Sequence, residues 1–298
     1  HQGIEVNFER IAPTYLNTLA LTDSLGYYSA ELEPGIYSIT MSKTDFLPVT
    51  LPDMPIYADQ LIDTVILETL GLSGQLSGDL GPGIFKIGGN ISVASNATLR
   101  ILPGTEFRFM QDITFEVYGT LQADGNATDS IRFTRFVEGG TWKGIDFKEN
   151  SSSDSYLKYS IVEYSDDRGI SVYKCSPLIS HCQIRFNYIY STSSGQDEDA
   201  GGGAGICLKY SNSLVEHTVV ANNTGQAFGI GIYASDGSPK LSNSLIINNT
   251  SDGYPYNSGY GGGVFSSFGV NMIVENCVIA GNSSSVGGGI CVAGTWQA

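Results

Sequence analysis

The sequence predicts an all-β protein whose larger part is a parallel β-solenoid, and three observations lead to this prediction. Short blocks of alternating apolar and polar residues recur, most of them end at Asn, and clusters of glycine stand between them. Like residues occupy like positions in each block. Gly, Ser, Thr and Asn are abundant, whereas charged residues make up only 15% of the 298 residues. Such a composition favours strands joined by many turns over long helices.

The acidic composition limits the classes of partner. The chain has 30 acidic and 15 basic residues, a net charge of −15. We therefore expect neither nucleic acid nor an anionic membrane surface as a partner, because both carry negative charge. No run of 18 apolar residues is present, so no membrane insertion is predicted. A cation, a neutral ligand or another protein remains compatible with this charge.

Residues 1–70 form a separate unit. The segment TDSLGYYSAELEPGIYSITMSKTDFLPVTL alternates strands with turns, which Gly26, Pro34 and Gly35 mark. It resembles the carboxypeptidase-regulatory-like family of small Ig-like β-sandwiches, which are common appendages of secreted bacterial proteins. The resemblance implies one more strand before Gly3, so we expect this domain to lack its first strand. Residues 70–74 are the predicted linker.

The solenoid is predicted over residues 72–298, first as short alternating strands and then as a clear repeat. One block spans residues 178–187 and recurs at 214–223, 240–249 and 273–282, with a fainter copy at 156–165. Alternation at step two indicates a strand, and a step of three between columns indicates a bend. Residues of the same type recur at the same position once per coil and stack on one another. This is typical of a parallel β-solenoid, in which each coil is hydrogen-bonded to the next about 4.8 Å away. The two apolar columns of the block are Leu157, Ile179, Val215, Leu241, Val274 and Val162, Ile184, Val220, Ile246, Ile279.

Glycine clusters raise the alternative of a phosphate-binding loop. GGGVF at 261–265 and GGGIC at 287–291 have looser counterparts at 203–207 and 229–233. A phosphate loop would precede a helix and would not occur four times, so we interpret the clusters as corners of the coil. The last position of each block is predicted to form a ladder of amide hydrogen bonds through Asn187, Asn223, Asn249 and Asn282.

A family resemblance agrees with this interpretation. The stretches ATLRILPGTEFRF, VYGTLQADGNATDSIRFTR, GTWKGIDF and LKYSIVEYS resemble secreted right-handed parallel β-helix proteins of the pectin-lyase-like superfamily. The GGGI and VENCVIAGN units are similar to the glycine-rich repeats of bacterial surface β-helix proteins, including adhesins and autotransporter passengers. The resemblance covers residues 72–298 and implies a right-handed parallel β-helix at an extracellular or cell-surface location. It implies no single activity, because that superfamily includes lyases, hydrolases and adhesins.

Two insertions supply the candidate ligand-binding residues. They follow the Asn column at 188–203 and 250–262, leave from one corner, and should project on one side of the solenoid. Tyrosines beside carboxylates suit sugar rings and Ca²⁺, while a solvated loop without a partner is the alternative. Asp197, Glu198 and Asp199 are candidates for calcium, the one cofactor considered. The full candidate set is Tyr188, Tyr190, Asp197, Glu198, Asp199, Asp252, Tyr254, Tyr256 and Tyr260.

No catalytic residue is predicted. A lyase would need a carboxylate cluster for Ca²⁺ beside a basic residue, and a hydrolase would need paired carboxylates on neighbouring strands. The nearest match to such a pair, Asp166 and Asp167 before Arg168, precedes a glycine corner and is interpreted as a turn. His181 and His217 occupy the same bend position in adjacent coils. They are interpreted either as a metal-binding pair or as part of a generic polar bend. Of the five cysteines, only Cys175 and Cys182 are easily paired.

Two classes of function follow. The first is a secreted or surface-attached non-catalytic β-solenoid, serving as an adhesin, a matrix component or a filament-forming structural protein. The alternative is a carbohydrate-active enzyme or carbohydrate-binding module on the same fold. Expected partners are copies of itself, other surface proteins or polysaccharide. We also expect the solenoid to be open at its C-terminal end, to be completed by further sequence or by a neighbouring subunit.

Overall fold

A computed structural model of the protein describes residues 2–43, 46, 48–67, 71–190, 202–252 and 259–293. The chain divides into two compact units, His1–Gly71 and Leu72–Ala298. Every regular element among the described residues is a β-strand. That part of the chain accordingly contains no helix of the length and apolarity needed to cross a bilayer.

The first unit is built on one antiparallel sheet with the strand order β2-β1-β3-β4. Inward positions of β1 and β3 form its core, where Val6, Phe8, Tyr37 and Ile39 are buried. Residues 28–32 and 62–67 pack on this core as irregular chain, so the described residues of the unit do not form a second sheet. The strands are β1 (Glu5–Ala12), β2 (Leu16–Leu21), β3 (Gly35–Ser42) and β4 (Val49–Ile56).

The second unit is a succession of short parallel strands. The alternation of apolar and polar residues within each strand gives one buried side and one outward side. The strands are β5 (Leu72–Gln75), β6 (Gly78–Leu80), β7 (Gly83–Val93), β8 (Thr98–Ile101), β9 (Thr105–Phe109), β10 (Phe115–Val117), β11 (Thr120–Asp124), β12 (Ile131–Arg135), β13 (Ile145–Phe147), β14 (Tyr156–Lys158), β15 (Ser160–Glu163), β16 (Ile170–Tyr173), β17 (Leu178–Ser180), β18 (Gln183–Arg185), β19 (Tyr188–Tyr190), β20 (Ile206–Lys209), β21 (Leu214–Glu216), β22 (Val219–Ala221), β23 (Thr224–Gln226), β24 (Ile232–Ser235), β25 (Lys240–Ser242), β26 (Leu245–Ile247), β27 (Thr250–Ser251), β28 (Val264–Ser266), β29 (Ile273–Glu275), β30 (Val278–Ala280) and β31 (Ile290–Val292).

All of these strands except β19, β23 and β27 form three long faces. Face A has the order β7-β9-β12-β15-β18-β22-β26-β30, and face B has the order β7-β10-β13-β16-β20-β24-β28-β31. The long strand β7 belongs to both, and β5 pairs with it. Face C has the order β6-β8-β11-β14-β17-β21-β25-β29. The chain passes from face C to face A to face B in each coil, which is a parallel β-helix.

The strand register confirms the predicted apolar columns. Ile179 on face C lies opposite Leu157 and Val215 of the neighbouring coils, and the series continues through Leu241 to Val274. The second column, on face A, continues in the same way. It consists of Val162, Ile184, Val220, Ile246 and Ile279.

The glycine clusters are corners, as predicted, and the space around them explains their composition. A Cβ atom added to Gly205 would lie 2.5 Å from the carbonyl oxygen of Gly231, and one added to Gly231 would lie 2.5 Å from that of Gly263. The same added atoms would lie 3.1 Å from Nδ2 of Asn223 and 2.9 Å from Nδ2 of Asn249. Glycine is required there because the corner of each coil packs directly on the next corner and on the asparagine column.

Candidate functional site

A short corner sheet marks the place where the two insertions leave the solenoid. Strands β19, β23 and β27 pair in parallel, with Tyr188 opposite Thr224 and Thr224 opposite Thr250. Ile189 points inward, where it packs with Ala204. Tyr190 points outward and is 56% exposed. The insertions predicted at 188–203 and 250–262 begin within this sheet, because β19 and β27 are their first residues.

The predicted ligand residues fall into three groups. Tyr188, Tyr190 and Asp252 belong to the corner sheet and its edge, and burial followed by the charge of Asp252 raises the pKa of Tyr188. Tyr260 belongs to another cluster, because its ring centroid lies 5.4 Å from that of Phe228. The remaining candidates lie outside the described residues: Asp197, Glu198, Asp199, Tyr254 and Tyr256.

An aromatic cluster lies on the outer side of face B beside the glycine corners. Tyr233 and Phe265 occupy paired outward positions, and their rings stack at 5.6 Å with an interplanar angle of 7°. Phe228 stacks on Phe265 at 5.3 Å. Tyr233 and Phe265 are buried, whereas Tyr260 at the edge is exposed. A ligand could therefore contact only the exposed edge of this cluster, because the faces of Tyr233 and Phe265 are buried.

An acidic pair on face B was missed by the sequence analysis. Glu116 on β10 and Asp146 on β13 lie opposite each other and point outward. Lys148 binds both carboxylates, with its Nζ 3.1 Å from Oε1 of Glu116 and bonded to Oδ2 of Asp146. Burial acts to lower the pKa of Lys148, but the hydrogen bonds and charges of the two carboxylates outweigh burial and raise it. The Tyr118 hydroxyl donates to Oε2 of Glu116 over 3.2 Å.

The interpretation of Asp166 and Asp167 as a turn is confirmed, and they are not the best match to a pair of carboxylates on neighbouring strands. Asp166 and Asp167, the nearest match in the sequence, lie in the bend between β15 and β16 and bind different cations. Oδ1 of Asp166 is 3.1 Å from Nζ of Lys143, and Oδ1 of Asp167 is 3.0 Å from Nη1 of Arg168. The closer match is Glu116 with Asp146, because these two residues occupy equivalent outward positions on neighbouring strands.

Glu163 forms a second charged group, on face A. Its side chain is fully buried, although it lies on the outward side of β15. Oε1 accepts hydrogen bonds from Arg132 Nε at 2.8 Å and from Thr134 Oγ1 at 3.0 Å, and Oε2 accepts one from Arg185 Nε at 2.9 Å. The three partners lie on the neighbouring coils, so this carboxylate ties three coils together and both its oxygens are occupied.

The shared histidine column is a polar bend. The rings of His181 and His217 stack at 4.7 Å with an angle of 21°, and Tyr159 continues the stack at 4.6 Å from His181. Ring nitrogens donate to a metal within the ring plane, so rings stacked this way cannot converge on one ion. The described residues contain no group of three His, Cys, Asp or Glu that could hold a metal. Backbone φ angles of 56° and 48° at His181 and His217 mark the bend itself.

The cysteines are all free thiols. The pair that the sequence analysis considered, Cys175 and Cys182, is not bridged. Both thiols are buried, and burial raises the pKa of Cys175 to about 11 and that of Cys182 to about 12. These two cysteines therefore act as small buried residues of the core.

The parallel coils and the absence of a helix among the described residues define the class of β-helix proteins. A family model described as the right-handed β-helix region matches residues 135–296, which is more than half of the chain. The chain belongs to this family. Comparison with curated proteins and with solved structures finds no match. The family match establishes the handedness and the fold of the coils, and it assigns no ligand or reaction.

Proposed function

We propose that this protein is a secreted or cell-surface, non-catalytic β-solenoid that acts as an adhesin, an extracellular matrix component or a filament-forming structural protein. The observation that carries the proposal is the pairing of outward carboxylates with cations on faces A and B. Acid–base catalysis needs a carboxyl group that can exchange a proton with a substrate. The carboxylates in these pairings are already occupied by Lys148, Arg132 and Arg185. Asp166, in the bend between the two faces, is likewise bound by Lys143.

The proposal also assigns each of the two units to a more specific family. We assign the coils to the pectin-lyase-like superfamily, with glycine-rich repeats like those of adhesins and autotransporter passengers. The glycine corners at Gly205 and Gly231, packed on the asparagine column, support this assignment. We assign the first unit to the carboxypeptidase-regulatory-like, Ig-like domains. Its antiparallel sheet supports this assignment, although its described residues form one sheet and not the two of a β-sandwich. Its partners would be other copies, other surface proteins or polysaccharide, with calcium as the candidate ion.

A carbohydrate-active enzyme is the second candidate, and one observation favours it. Glu116 and Asp146 bind the same ammonium nitrogen, which keeps the bonded oxygens within about 6 Å of each other, near the separation of the two carboxyl groups in glycosidases. Lys148 would have to leave this position before either carboxyl group could act on a glycosidic bond. The present geometry therefore favours binding without turnover.

Incubation with polygalacturonate and related glycans tests the proposal. Unsaturated product is followed by absorbance, and hydrolysis is followed by reducing ends. We expect neither product, from the wild-type chain or from Lys148→Met, in which both carboxylates are released.

Turnover by the wild-type chain that disappears in Glu116→Gln or Asp146→Asn would establish an enzyme and overturn the proposal. Asp167→Ala and Arg168→Ala test the other acidic corner in the same assay. Asp154→Asn is the matched control, because Asp154 is an exposed carboxylate in a turn and is a member of neither pairing.

A further inference from the structure

The first unit is far more acidic for its size than the coils. Residues 1–71 contain 10 acidic and two basic residues, a net charge of −8, whereas residues 72–298 contain 20 acidic and 13 basic residues, a net charge of −7. Both cations of the first unit are engaged within it. Arg10 is buried and pairs with Glu33 at 2.6 Å, and Nζ of Lys43 donates to the carbonyl oxygen of Gln2 at 2.9 Å. The excess carboxylates of the unit can therefore attract a basic partner.

The sheet of the first unit has one protected edge and one open edge. Strand β4 forms the protected edge, because Pro52 and Pro55 have no backbone N–H group to donate. Strand β2 forms the other edge, and its sequence LNTLAL contains neither proline nor a charged residue. Proline and charged residues are the usual protection of an exposed edge, because an unprotected edge pairs with another strand. β2 is therefore the edge at which a further strand can be added.

The backbone of β2 presents three residues to the open edge. Thr22, the next residue along the chain, donates its backbone N–H to the carbonyl oxygen of Ile4 at 3.0 Å, so its backbone faces β1. Successive residues of an antiparallel strand direct their backbone groups to opposite edges, so the even-numbered residues of β2 face β1 as well. The N–H and C=O groups of Asn17, Leu19 and Leu21 consequently face the open edge, where no strand of the described residues pairs with them.

The side chains along this edge suit a strand that carries long basic residues. Leu19 and Leu21 are each 60% exposed, on the side of the sheet opposite to its core. On the same side of the neighbouring strand β1, Glu5 lies opposite Leu21 and Glu9 lies opposite Asn17. The aliphatic stem of a lysine or an arginine can cover apolar surface while its charged end remains in water. Basic side chains of an added strand would therefore cover the leucines and extend towards Glu5 and Glu9.

We propose that β2 binds an extended segment of another protein in which aliphatic and basic residues alternate. The segment would join the sheet as a fifth strand, through backbone hydrogen bonds to Leu19 and Leu21, with its basic residues on the outward side. The proposal rests on the non-catalytic function proposed above, and it names the site and the chemistry of one protein partner. A second copy of this chain fits less well, because its first unit would bring a further charge of −8 and its β2 has no basic residue.

Titration of the 298-residue chain with synthetic peptides tests the proposal. The probe is a fluorescently labelled peptide of seven residues that alternates valine with lysine. One control peptide has the same composition with its lysines placed together, so it keeps the charge and loses the alternation. A second control peptide has glutamate in place of lysine, so it keeps the alternation and reverses the charge. Fluorescence anisotropy at physiological ionic strength measures each dissociation constant.

Two variants test the backbone contact and the charge separately. Leu19→Pro removes an N–H group that faces the open edge and leaves the hydrogen bonds between β1 and β2 in place. Glu5→Gln/Glu9→Gln removes the two carboxylates beside the edge. Its matched control is Asp53→Asn/Asp59→Asn, which removes the same charge from two exposed residues of the first unit that lie on or after β4. Thermal melting by circular dichroism verifies that each variant folds like the wild type.

We expect each test variant to raise the dissociation constant of the alternating peptide by about tenfold, and the aspartate control to change it by less than about twofold. Bound peptide should slow hydrogen exchange at the amides of Leu19 and Leu21, measured by NMR, and leave that of Ala20 unchanged. If Leu19→Pro melts early, this exchange measurement on the wild type decides the backbone contact. The proposal is overturned if the peptide with grouped lysines binds as tightly, if a folded Leu19→Pro binds like the wild type, or if exchange at Leu19 and Leu21 does not slow.

Light scattering and the glycan assay separate the remaining outcomes. A wild-type dimer that Leu19→Pro converts to a monomer would make a second copy the occupant of the edge and overturn the proposal. Turnover of a glycan by the wild type would end the non-catalytic function, while slowed exchange at the edge amides would still support the site on β2. Absence of both peptide binding and turnover would end the proposal for β2 and leave the non-catalytic function standing.

Discussion

The early and late coils of the solenoid fill their interiors with different side chains. Residues 83–147 bury large rings, among which Phe107 contacts Phe133 edge to face at 5.6 Å and Phe109 stacks on Trp142 at 4.0 Å. Residues 156–282 bury aliphatic columns such as that of Val220. The late coils also bury a polar column, which is fully enclosed at Asn187, Asn223 and Asn249.

The difference shows two ways in which buried side chains fix the register of one coil on the next. Rings of different shape interlock, so the early coils tolerate strands of unequal length, from the 11 residues of β7 to the three of β10. In the late coils, aliphatic residues stack on equivalent aliphatic residues of the next coil. These contacts alone would allow a strand to shift its register along its neighbour. Asn223 prevents slippage, because its Nδ2 donates to Oδ1 of Asn249 at 2.9 Å and its Oδ1 accepts from Nδ2 of Asn187 at 3.0 Å. A slipped coil would bury unpaired amides.

The largest effect is expected from a charge inside the late coils. Val220→Asp would bury an unpaired carboxylate in the aliphatic column, at a cost of several kcal/mol (about 3–5), so we expect the solenoid to unfold. Urea denaturation followed by circular dichroism measures this. Val219→Asp is the matched control, since Val219 lies on the outward side of the same strand. Equal stability of the two variants would refute the register.

A cavity in the early coils should be the next most costly change. Phe107 is fully buried and its ring meets those of Phe85, Phe109, Phe115 and Phe133. We expect Phe107→Ala to lower the free energy of unfolding by about 3–5 kcal/mol in urea titration. Phe268→Ala removes the same atoms from a ring that is 53% exposed, and it should cost far less. Similar costs for the two would contradict a ring-packed early core.

Removal of one ladder amide should have a smaller effect. Asn223→Ala leaves Asn187 and Asn249 without one side-chain partner each, so we expect a loss of about 1–3 kcal/mol. Asn282→Ala should cost less, because Asn282 is only half-buried. Ser153→Ala, at an exposed turn, is the control for both in the same urea titration. A loss at Asn223 no greater than at Ser153 would mean that the column faces water.

Chemical labelling of the cysteines should have the smallest effect on stability. Buried and half-buried thiols should nevertheless differ in their reactivity. Burial raises the pKa of Cys175, Cys182 and Cys207, so at about pH 8 they remain protonated and the reactive thiolate is scarce. We expect a thiol reagent to label the half-buried Cys277 and Cys291 in the native protein, with unchanged stability. Mass spectrometry of digested protein locates the labels. Labelling of native Cys182 as fast as that of Cys291 would contradict its burial.

The sequence by itself determined the architecture of the late coils. Alternation at step two separates inward from outward residues locally, and the recurrence of like residues identifies which coil stacks on which. Leu157, Ile179 and Val215 could therefore be aligned from the sequence, and strand register confirms that alignment. The corners could be assigned because glycine clusters recur where no side chain fits. In the first unit, strand and turn alternation predicted β-structure, but the paths of residues 28–32 and 62–67 depend on their packing against the sheet.

Only the tertiary structure decided which outward side chains meet outside the aligned blocks. Glu116 and Asp146 are separated by 30 residues, and Glu163 is separated from Arg132 by 31. The contact of Glu163 with Arg185, 22 residues away, agrees with the alignment of the sequence blocks at 156–165 and 178–187. The number of residues in each corner varies from coil to coil, and it shifts the sequence separation of spatial neighbours without any change in the strand pattern. Outward positions also carry no apolar signature that would reveal their register. The charged pairings on different coils consequently follow from the register of the folded coils.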